Sequence, residues 1–409
     1  MRRGQVESSS DAGQEALLPL RAFYFFNFGA LGALLPFVPL LFAERGLDPS
    51  EIALAMVVIP ATGLVVPPLW GALADALGGR LALLRIAAIG SAASTLLLLG
   101  DWGLAGSLVA MTAYGVFRAP LTSLADAATY DAMGGEKADF SRVRVWGSVG
   151  FVFFVVLLGL VEGSTRPAVL APVACGIHLL SAVATLPLGS PPMRRQEGVI
   201  RMTVSSVARP ALLLFLLGTA VYYSGHAMYD VFFGLHARRL GQGDSFVGVA
   251  WALGVTAEIG LMLAAPRFIH KARSGLLLVV CGATAALRWG LLSVVTAPSA
   301  ILATQLLHGV TFGLFYLSLA KHVQARAPAS LRTSLQSIAI SSMGLGMLGG
   351  FLGGGELFER FAGEGLFRVS AGVAGLSALI YLAALLADRG KGSGEGAQGS
   401  PEEEVEGDP

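Results

Sequence analysis

The chain has 409 residues, of which 54% are hydrophobic and only 13% are charged, and its formal net charge is +1. A soluble domain carries roughly 25% charged residues, so this composition excludes an ordinary soluble protein. The near-zero net charge argues against a nucleic-acid-binding protein, and two cysteines exclude a disulfide scaffold. The composition instead predicts an all-α integral membrane protein with many spans.

Twelve apolar stretches, each long enough for a helix that crosses the bilayer, follow one another along the chain. Their predicted bounds are 18–43, 50–77, 81–100, 104–131, 141–162, 167–188, 210–236, 245–270, 274–296, 299–325, 331–358 and 364–387. Polar tails flank them at 1–17 and 389–409, and the acidic second tail is predicted to be disordered. The polar stretch 189–209 is predicted to link two six-helix halves, 18–188 and 210–388.

The lysines and arginines of the loops predict the orientation of these spans. An even number of spans puts both chain ends on one side of the membrane, and the loops on that side carry most of the basic residues. By the positive-inside rule, both tails and the linker are therefore predicted to be cytoplasmic in a cell membrane.

The loop after the second span carries a recognisable motif. Residues 71–80 read GALADALGGR; the glycines permit a tight turn, and Asp75 and Arg80 can form a charge relay on the cytoplasmic face. This stretch resembles the G-x-x-x-D-x-x-G-R loop motif of the major facilitator superfamily, with one residue added before the arginine.

Four further stretches narrow the resemblance. They are RVRVWGSVG at 142–150, WALGVTAE at 251–258, LRWG at 287–290 and QLLHGVTFG at 305–313. Together they resemble the phenylpropionate-permease-like group, near the lactose-permease and nucleoside–proton symporter branches, over residues 18–387. The resemblance implies twelve helices, alternating access and proton-coupled uptake.

Glu258, Arg288 and His308 lie in consecutive spans at similar depths, roughly 12–20 Å at 1.5 Å per residue. A charge at a helix centre costs about 2.5–3.5 kcal/mol, so such residues tend to be paired and functional. We predict that these three residues couple transport to protons; the alternative is a static tie between helices. The lactose-permease branch has the same residue types on these helices, with a second acid where this chain has Thr311. The resemblance therefore favours Glu258 as the proton carrier.

Arg118 in span four is a candidate anchor for an anionic substrate. Spans one to six offer it no acid at its own depth, and a planar guanidinium matches a carboxylate. The alternative is that Arg118 pairs with Glu258 across a central cavity.

Other polar and aromatic residues at depth are further candidates for substrate binding. His226 and Asp230 are four residues apart and share a helix face, and tyrosines beside them can stack on a ring. Asp230 can equally be a solvated residue of an outer gate, and amide side chains more often form helix–helix hydrogen bonds. The complete set is Asn27, Arg118, Tyr222, Tyr223, His226, Asp230, Trp251 and Gln305.

Asp126, near the inner end of span four, lies level with Arg142 and Arg144 at the start of span five. These three residues are predicted to form a cytoplasmic gate or a structural brace, together with Asp75 and Arg80 of the loop motif. The glycine run between 344 and 355 in span eleven predicts close packing against neighbouring helices.

The leading functional prediction is a monomeric secondary transporter, not an enzyme, that needs no cofactor or metal. Its partners are the lipid bilayer, protons and a small organic solute: an aromatic carboxylate, a sugar or a nucleoside. The alternatives are a proton-driven efflux antiporter, disfavoured because span five lacks the proline of the drug-antiporter motif, and a non-transporting receptor.

Overall fold

A computed structural model describes residues 17–133, 140–189, 210–326 and 331–392, and no β-strand occurs within these ranges. Nearly all of the predicted tails and of the predicted linker lie outside them. Eleven helices in the described part are long and apolar enough to cross a membrane.

The helices are numbered by the predicted spans to which they correspond, and several are interrupted. They are α1 (Leu18–Leu34 and Val38–Glu44), α2 (Pro49–Leu77), α3 (Arg80–Thr95 with a 3-10 turn Leu96–Leu99), α4 (Gly103–Arg118 and Leu121–Ala132), α5 (Phe140–Leu160), α6 (Pro167–Ala184), α7 (Pro210–Arg239), α8 (Asp244–Ala264 with a 3-10 turn Ala265–Arg267), α9 (Ser274–Leu292), α10 (Pro298–Gln305, a π-helical segment Gly309–Leu314, and Phe315–Arg326) and a final helix Arg332–Gly392.

The final helix of 61 residues is too long for one span, and it is broken at Ala362, whose φ of 57° and ψ of −167° are not helical. We call its two arms α11 (332–361) and α12 (363–392). The two arms correspond to the last two predicted spans, 331–358 and 364–387. The eleven long helices are therefore compatible with the predicted twelve.

The helices form two halves, α1–α6 and α7–α12. In the first half α1 packs on α5 and α6, and in the second α7 and α9 pack on the final helix while α8 packs on α10. We call the face where α1 begins and α12 ends the terminal face; it includes Gly78 and the loop 268–273. The opposite face, with the loops 45–48 and 240–243, is the far face.

The two halves meet closely near the far face. A β-carbon at Gly248 of α8 would lie 2.6 Å from the carbonyl oxygen of Val155 in α5, so these two backbones touch. The second close approach joins α1 to α7 at Leu40 and Gly234, and α2 approaches α11 near Gly355. On the terminal side, the second segment of α4 packs on α1 and α3 of its own half. The structure is thus closed at the far face.

Candidate functional site

The guanidinium of Arg288 lies at the centre of the second half, fully buried. Its Nη2 donates to Oε1 of Gln305 at 2.8 Å. Its Nη1 donates to Oγ1 of Thr311 at 3.1 Å and lies 3.0 Å from Nδ1 of His308. All three acceptors belong to α10, and within the described residues Arg288 forms no ion pair with a carboxylate.

Glu258 of α8 joins this cluster through the imidazole ring. Its Oε2 lies 3.8 Å from Nε2 of His308, and the two residues are only 8% and 6% exposed. The structure therefore brings together the three membrane-embedded residues predicted to couple transport to protons, in the order Arg288, His308, Glu258.

The irregular backbone of α10 and its glycines produce this arrangement. Residues Gly309–Leu314 form a π-helical segment directly after His308, a rare geometry that is frequent at functional sites. A β-carbon at Gly309 would lie 2.8 Å from the carbonyl oxygen of Ala257, and one at Gly313 would lie 3.0 Å from Cγ of Glu258. Because both positions are glycine, α8 approaches closely enough for its glutamate to meet the imidazole.

Two tyrosines of α7 support the cluster. Tyr229 donates to Oε1 of Gln305 at 2.7 Å, and its ring lies 4.5 Å from the Arg288 guanidinium. Tyr222 donates to the backbone carbonyl of Thr311 and stacks on Phe315 with ring centroids 4.1 Å apart. Tyr229 was outside the predicted site because its position is equally typical of an interfacial tyrosine.

Gln305 uses all of its polar atoms within the protein. Its Oε1 accepts from two donors, and its Nε2 donates to the Ile301 carbonyl at 3.1 Å and to Thr304 at 3.0 Å. The arrangement thus favours the alternative of an interhelical hydrogen bond that holds Arg288 over a free amide for substrate.

His226 and Tyr223 differ from Gln305 because their polar atoms are unsatisfied. Both ring nitrogens of His226 and the hydroxyl of Tyr223 are buried without a hydrogen-bond partner in the described part of the chain. Around them lie the aromatic rings of Trp289 and Phe312, at 5.3 and 6.5 Å from the His226 ring. Buried polar atoms rarely lack partners, so these atoms are candidates for hydrogen bonds with a ligand.

Trp251 and Asp230 complete the predicted residues of the second half. The Trp251 ring lies 6.0 Å from Phe151 of α5 and 5.4 Å from Tyr229, so it bridges the two halves. Asp230 is half-buried in α7, forms no ion pair within the described residues, and lies within electrostatic reach of Arg288.

In the first half, Arg118 is half-buried at the end of the first segment of α4. The helix breaks directly after it at Pro120, which has no N–H for the helical ladder. Arg118 lies beside Tyr114 and forms no ion pair with Glu258 or with any other acid in the described part of the chain. Asn27 of α1 is 5% exposed.

Asp126 and Arg144 lie toward the terminal face and form an ion pair, with Oδ1 and Nε 3.7 Å apart. Tyr24 of α1 donates to Oδ1 of Asp126 at 2.6 Å. The Arg144 guanidinium lies 4.4 Å from the centre of the Phe28 ring. All four residues belong to the first half, so in this conformation the group braces α1, α4 and α5 against one another.

The loop motif lies apart from this brace. Gly78 ends α2 with a φ of 67°, a left-handed conformation that favours glycine. Asp75 is exposed and forms no ion pair within the described residues, so its predicted relay with Arg80 is not formed in this conformation. Arg142 is exposed as well.

A network at the far face was missed by sequence reasoning. Arg238 of α7 pairs with Glu44 of α1 at 2.8 Å and with Asp244 of α8 at 2.6 Å. Thr165, in the loop after α5, donates to Glu44 at 2.6 Å, and Ser164 donates to Asp244 at 3.0 Å. The contacts of Arg238 with Glu44 and of Ser164 with Asp244 join the two halves, and no local sequence signal connects residues so far apart.

Comparison with known proteins decides the family. A family profile described as "MFS_1 like family" matches residues 17–369. The chain belongs to the MFS_1 like family. The predicted membership of the major facilitator superfamily and the predicted all-α fold are thereby confirmed, and the protein is a multi-pass membrane transporter, not an enzyme.

Relatives of this MFS_1 like protein are transporters of different solutes. It is 26% identical to the maltose permease of Geobacillus stearothermophilus, over 94% of this chain and 97% of that protein. It is also 26% identical to the probable 3-phenylpropionic acid transporter of Escherichia coli (strain K12), over 86% and 93% of the two chains. A crystal structure of a mutant of the nucleoside transporter NupG shares its fold, with a TM-score of 0.82 at 15% identity over 90% and 99% of the two chains.

Proposed function

We propose that this MFS_1 like transporter takes up a small organic solute together with protons, by alternating access. The observation that carries the proposal is a buried series of contacts from Arg288 through His308 to Glu258. Here a carboxyl group lies 3.8 Å from an imidazole whose other nitrogen is held by a guanidinium. A carboxyl group at that place can gain or lose a proton without breaking a direct ion pair.

The charges around Arg288 support uptake of one proton. Asp230 lies within electrostatic reach of this guanidinium, and Glu258 lies on the other side of the His308 ring, which contacts both residues. One cation and two carboxylates add up to zero only when one carboxyl group carries a proton. Because net charge in a membrane interior is costly, proton binding and solute binding at this site affect each other.

The relatives and the aromatic surroundings support a ring-bearing solute. The relatives are named for maltose, 3-phenylpropionic acid and nucleosides, all of which contain a ring. The unsatisfied polar atoms of His226 and Tyr223 lie among aromatic rings, which suits a solute with a flat face and a few polar groups. Arg118, without an acid partner in the described residues, favours a carboxylate-bearing ring over a neutral sugar.

The closed far face fits one end state of an alternating-access cycle. With both termini in the cytoplasm, as the loop charges predict, the structure corresponds to a transporter sealed on the outside. The Arg238 network then serves as the outer seal, and the contact of Asp126 with Arg144 braces the inner end of the first half.

Uptake by reconstituted protein tests the proposal. Proteoliposomes are given labelled 3-phenylpropionate, maltose or uridine with and without an inward proton gradient, for the wild type and for Glu258→Gln. The matched control is Glu162→Gln, which changes an exposed acid in the loop after α5. We expect gradient-driven accumulation by the wild type and the control. Glu258→Gln should exchange solute across the membrane but should not accumulate it.

Two results contradict the proposal. Uptake by the wild type that is equal with and without the gradient overturns proton coupling. Full accumulation by Glu258→Gln leaves coupling in place but removes Glu258 as the proton carrier, and the same assay on Asp230→Asn then tests the second carboxylate.

A further inference from the structure

A cavity of about 350 Å³ lies at the terminal face between the ends of α9, α10 and α12, remote from the Arg288 cluster. Its polar lining consists of Arg273, Lys321, Arg326 and Ser274, and Leu385 of α12 contributes to its apolar wall. Three positive side chains therefore line the cavity, and none of its lining residues in the described part of the chain is a carboxylate. Its volume is within the range of small-ligand sites, about 300–1,000 Å³.

Lys321 is held in place as part of the cavity wall. Its ammonium donates to the backbone carbonyls of Ala272 at 2.7 Å, of His270 at 3.3 Å and of Ile269. The carbonyls orient the ammonium and leave its charge uncompensated, because Lys321 forms no ion pair within the described residues. The loop between α8 and α9 thus wraps around a fixed positive charge.

Arg273 supplies a second positive charge to the cavity. The residue is exposed and its guanidinium forms neither a hydrogen bond nor an ion pair within the part of the chain that the structure describes. A guanidinium presents a planar set of donors that matches the oxygens of a phosphate group. Arg273 is therefore available to bind an anion in the cavity.

The N-terminus of α9 makes a smaller contribution to the attraction of the cavity for an anion. Arg273 is the N-cap of this 19-residue helix and provides no side-chain acceptor for its first amides. These amides and the helix dipole favour a negative charge just beyond the helix start. Ser274 and Gly275, the first residues of the helix, both line the cavity.

We infer that this cavity binds a phosphate group at the membrane surface, presented by an anionic phospholipid or by a soluble phosphate ester. Basic pockets between transmembrane helices on the cytoplasmic side bind lipid head groups, and the terminal face is the side predicted to be cytoplasmic. The apolar wall at Leu385 leaves room for the glycerol and upper acyl chain of a lipid beside the bound phosphate.

Ligand-induced thermal stabilisation of the full chain in detergent tests this inference, because a ligand that binds the folded state raises the unfolding midpoint. The probes are phosphatidylglycerol, zwitterionic phosphatidylcholine and inorganic phosphate, each titrated separately. The variants are Arg273→Gln and, as the matched control, Lys271→Gln, which removes an exposed cation of the same loop that does not line the cavity.

We expect phosphatidylglycerol or inorganic phosphate to raise the midpoint of the wild type, whereas phosphatidylcholine should not. Arg273→Gln should lower the affinity for the stabilising probe about fivefold, as expected for the loss of one basic residue near an anionic head group. Lys271→Gln should leave that affinity unchanged. Stabilisation by phosphatidylglycerol alone identifies a lipid as the source of the phosphate group, and stabilisation by inorganic phosphate identifies a soluble phosphate as the source. Stabilisation by neither probe, or equal weakening by both variants, overturns the inference.

Discussion

Nη1 of Arg288 and Nδ1 of His308 lie 3.0 Å apart, and this contact determines which nitrogen of the imidazole carries the proton. A guanidinium has donors only, so Nδ1 must accept and the ring hydrogen of neutral His308 must be on Nε2. That atom is the one 3.8 Å from the Glu258 carboxylate. Arg288 thereby orients the Nε2–H donor of His308 toward Glu258. His308 cannot take up a second proton without losing its hydrogen bond from Arg288.

Two amide substitutions of His308 separate the two functions of its ring. In His308→Asn the side-chain oxygen can replace Nδ1 as the acceptor for Arg288, but nothing reaches Glu258. In His308→Gln the amide can reach Glu258 and the acceptor near Arg288 is lost. An unsatisfied buried donor costs about 1–3 kcal/mol, so we expect His308→Gln to unfold at the lower temperature and His308→Asn to fold well but accumulate less solute under a proton gradient.

The control for this pair is His270→Gln, which changes an exposed histidine of the loop between α8 and α9. Thermal unfolding in detergent and accumulation in proteoliposomes are measured for all three variants. Equal unfolding midpoints for the Asn and Gln variants of His308 would show that the contact with Arg288 does not contribute to stability.

The depth of the charged residues in the sequence predicted that the three residues at the centre of the candidate site would meet, and local backbone geometry explains which of their contacts were not predicted. Glu258, Arg288 and His308 fall at one depth because helices rise by a constant 1.5 Å per residue, and the structure brings them together. Thr311 lies within the π-helical segment Gly309–Leu314, and the spacing of the apolar residues does not predict such a segment. Gln305 was predicted to bind substrate, whereas the structure shows that it binds Arg288.

The fold was predictable to a greater extent than the contacts between its halves. Spans are recognisable because each must be apolar over the thickness of a bilayer, and the break at Ala362 falls between the last two predicted spans. The contact between Glu44 and Arg238 joins residues from different halves. Under the proposed alternating access the halves adopt more than one arrangement, so the sequence alone cannot select the one in which these two residues meet.

Arg118→Lys keeps the positive charge but loses the planar fork that binds both oxygens of a carboxylate. A hydrogen bond to a charged group contributes about 1.5–3 kcal/mol, so we expect the Kd for 3-phenylpropionate to rise about tenfold or more. Binding of a neutral solute such as maltose should change little. Isothermal titration with the purified protein measures both.

The matched control is Arg368→Lys, which changes an exposed arginine of α12. An unchanged affinity for every carboxylate probe in Arg118→Lys, beside a measurable affinity for maltose or uridine, would favour a neutral substrate and remove Arg118 from its recognition.

Arg238→Gln should weaken the closed far face. The two ion pairs of Arg238 with Glu44 and Asp244 are partly exposed, and pairs of this kind contribute about 0.2–1 kcal/mol each. We therefore expect faster hydrogen exchange in peptides that cover 38–47 and 238–247, because the far face opens more often. Hydrogen-exchange mass spectrometry in lipid nanodiscs measures this directly.

The neighbouring Arg239 provides the control, since its guanidinium lies 5.8 Å from the ring of Phe358 in its own half. Arg239→Gln removes the same charge from the same face without touching the contact between halves. If the two variants exchange at the same rate, surface charge rather than the network accounts for the change.

Alanine substitutions at two glycines of α11 should affect the unfolding midpoint differently. A β-carbon at Gly350 would lie 2.2 Å from the carbonyl oxygen of Ser224 in α7, whereas one at Gly353 would meet nothing within 4 Å. Overpacking costs about 1–3 kcal/mol, and replacing glycine by alanine in an open helical position gains up to about 1 kcal/mol. We expect Gly350→Ala to lower the unfolding midpoint and Gly353→Ala to leave it unchanged or raise it. Because both positions lie one turn apart on the same helix, an equal fall in both variants would mean that α11 needs its glycines for a reason other than close contact with α7.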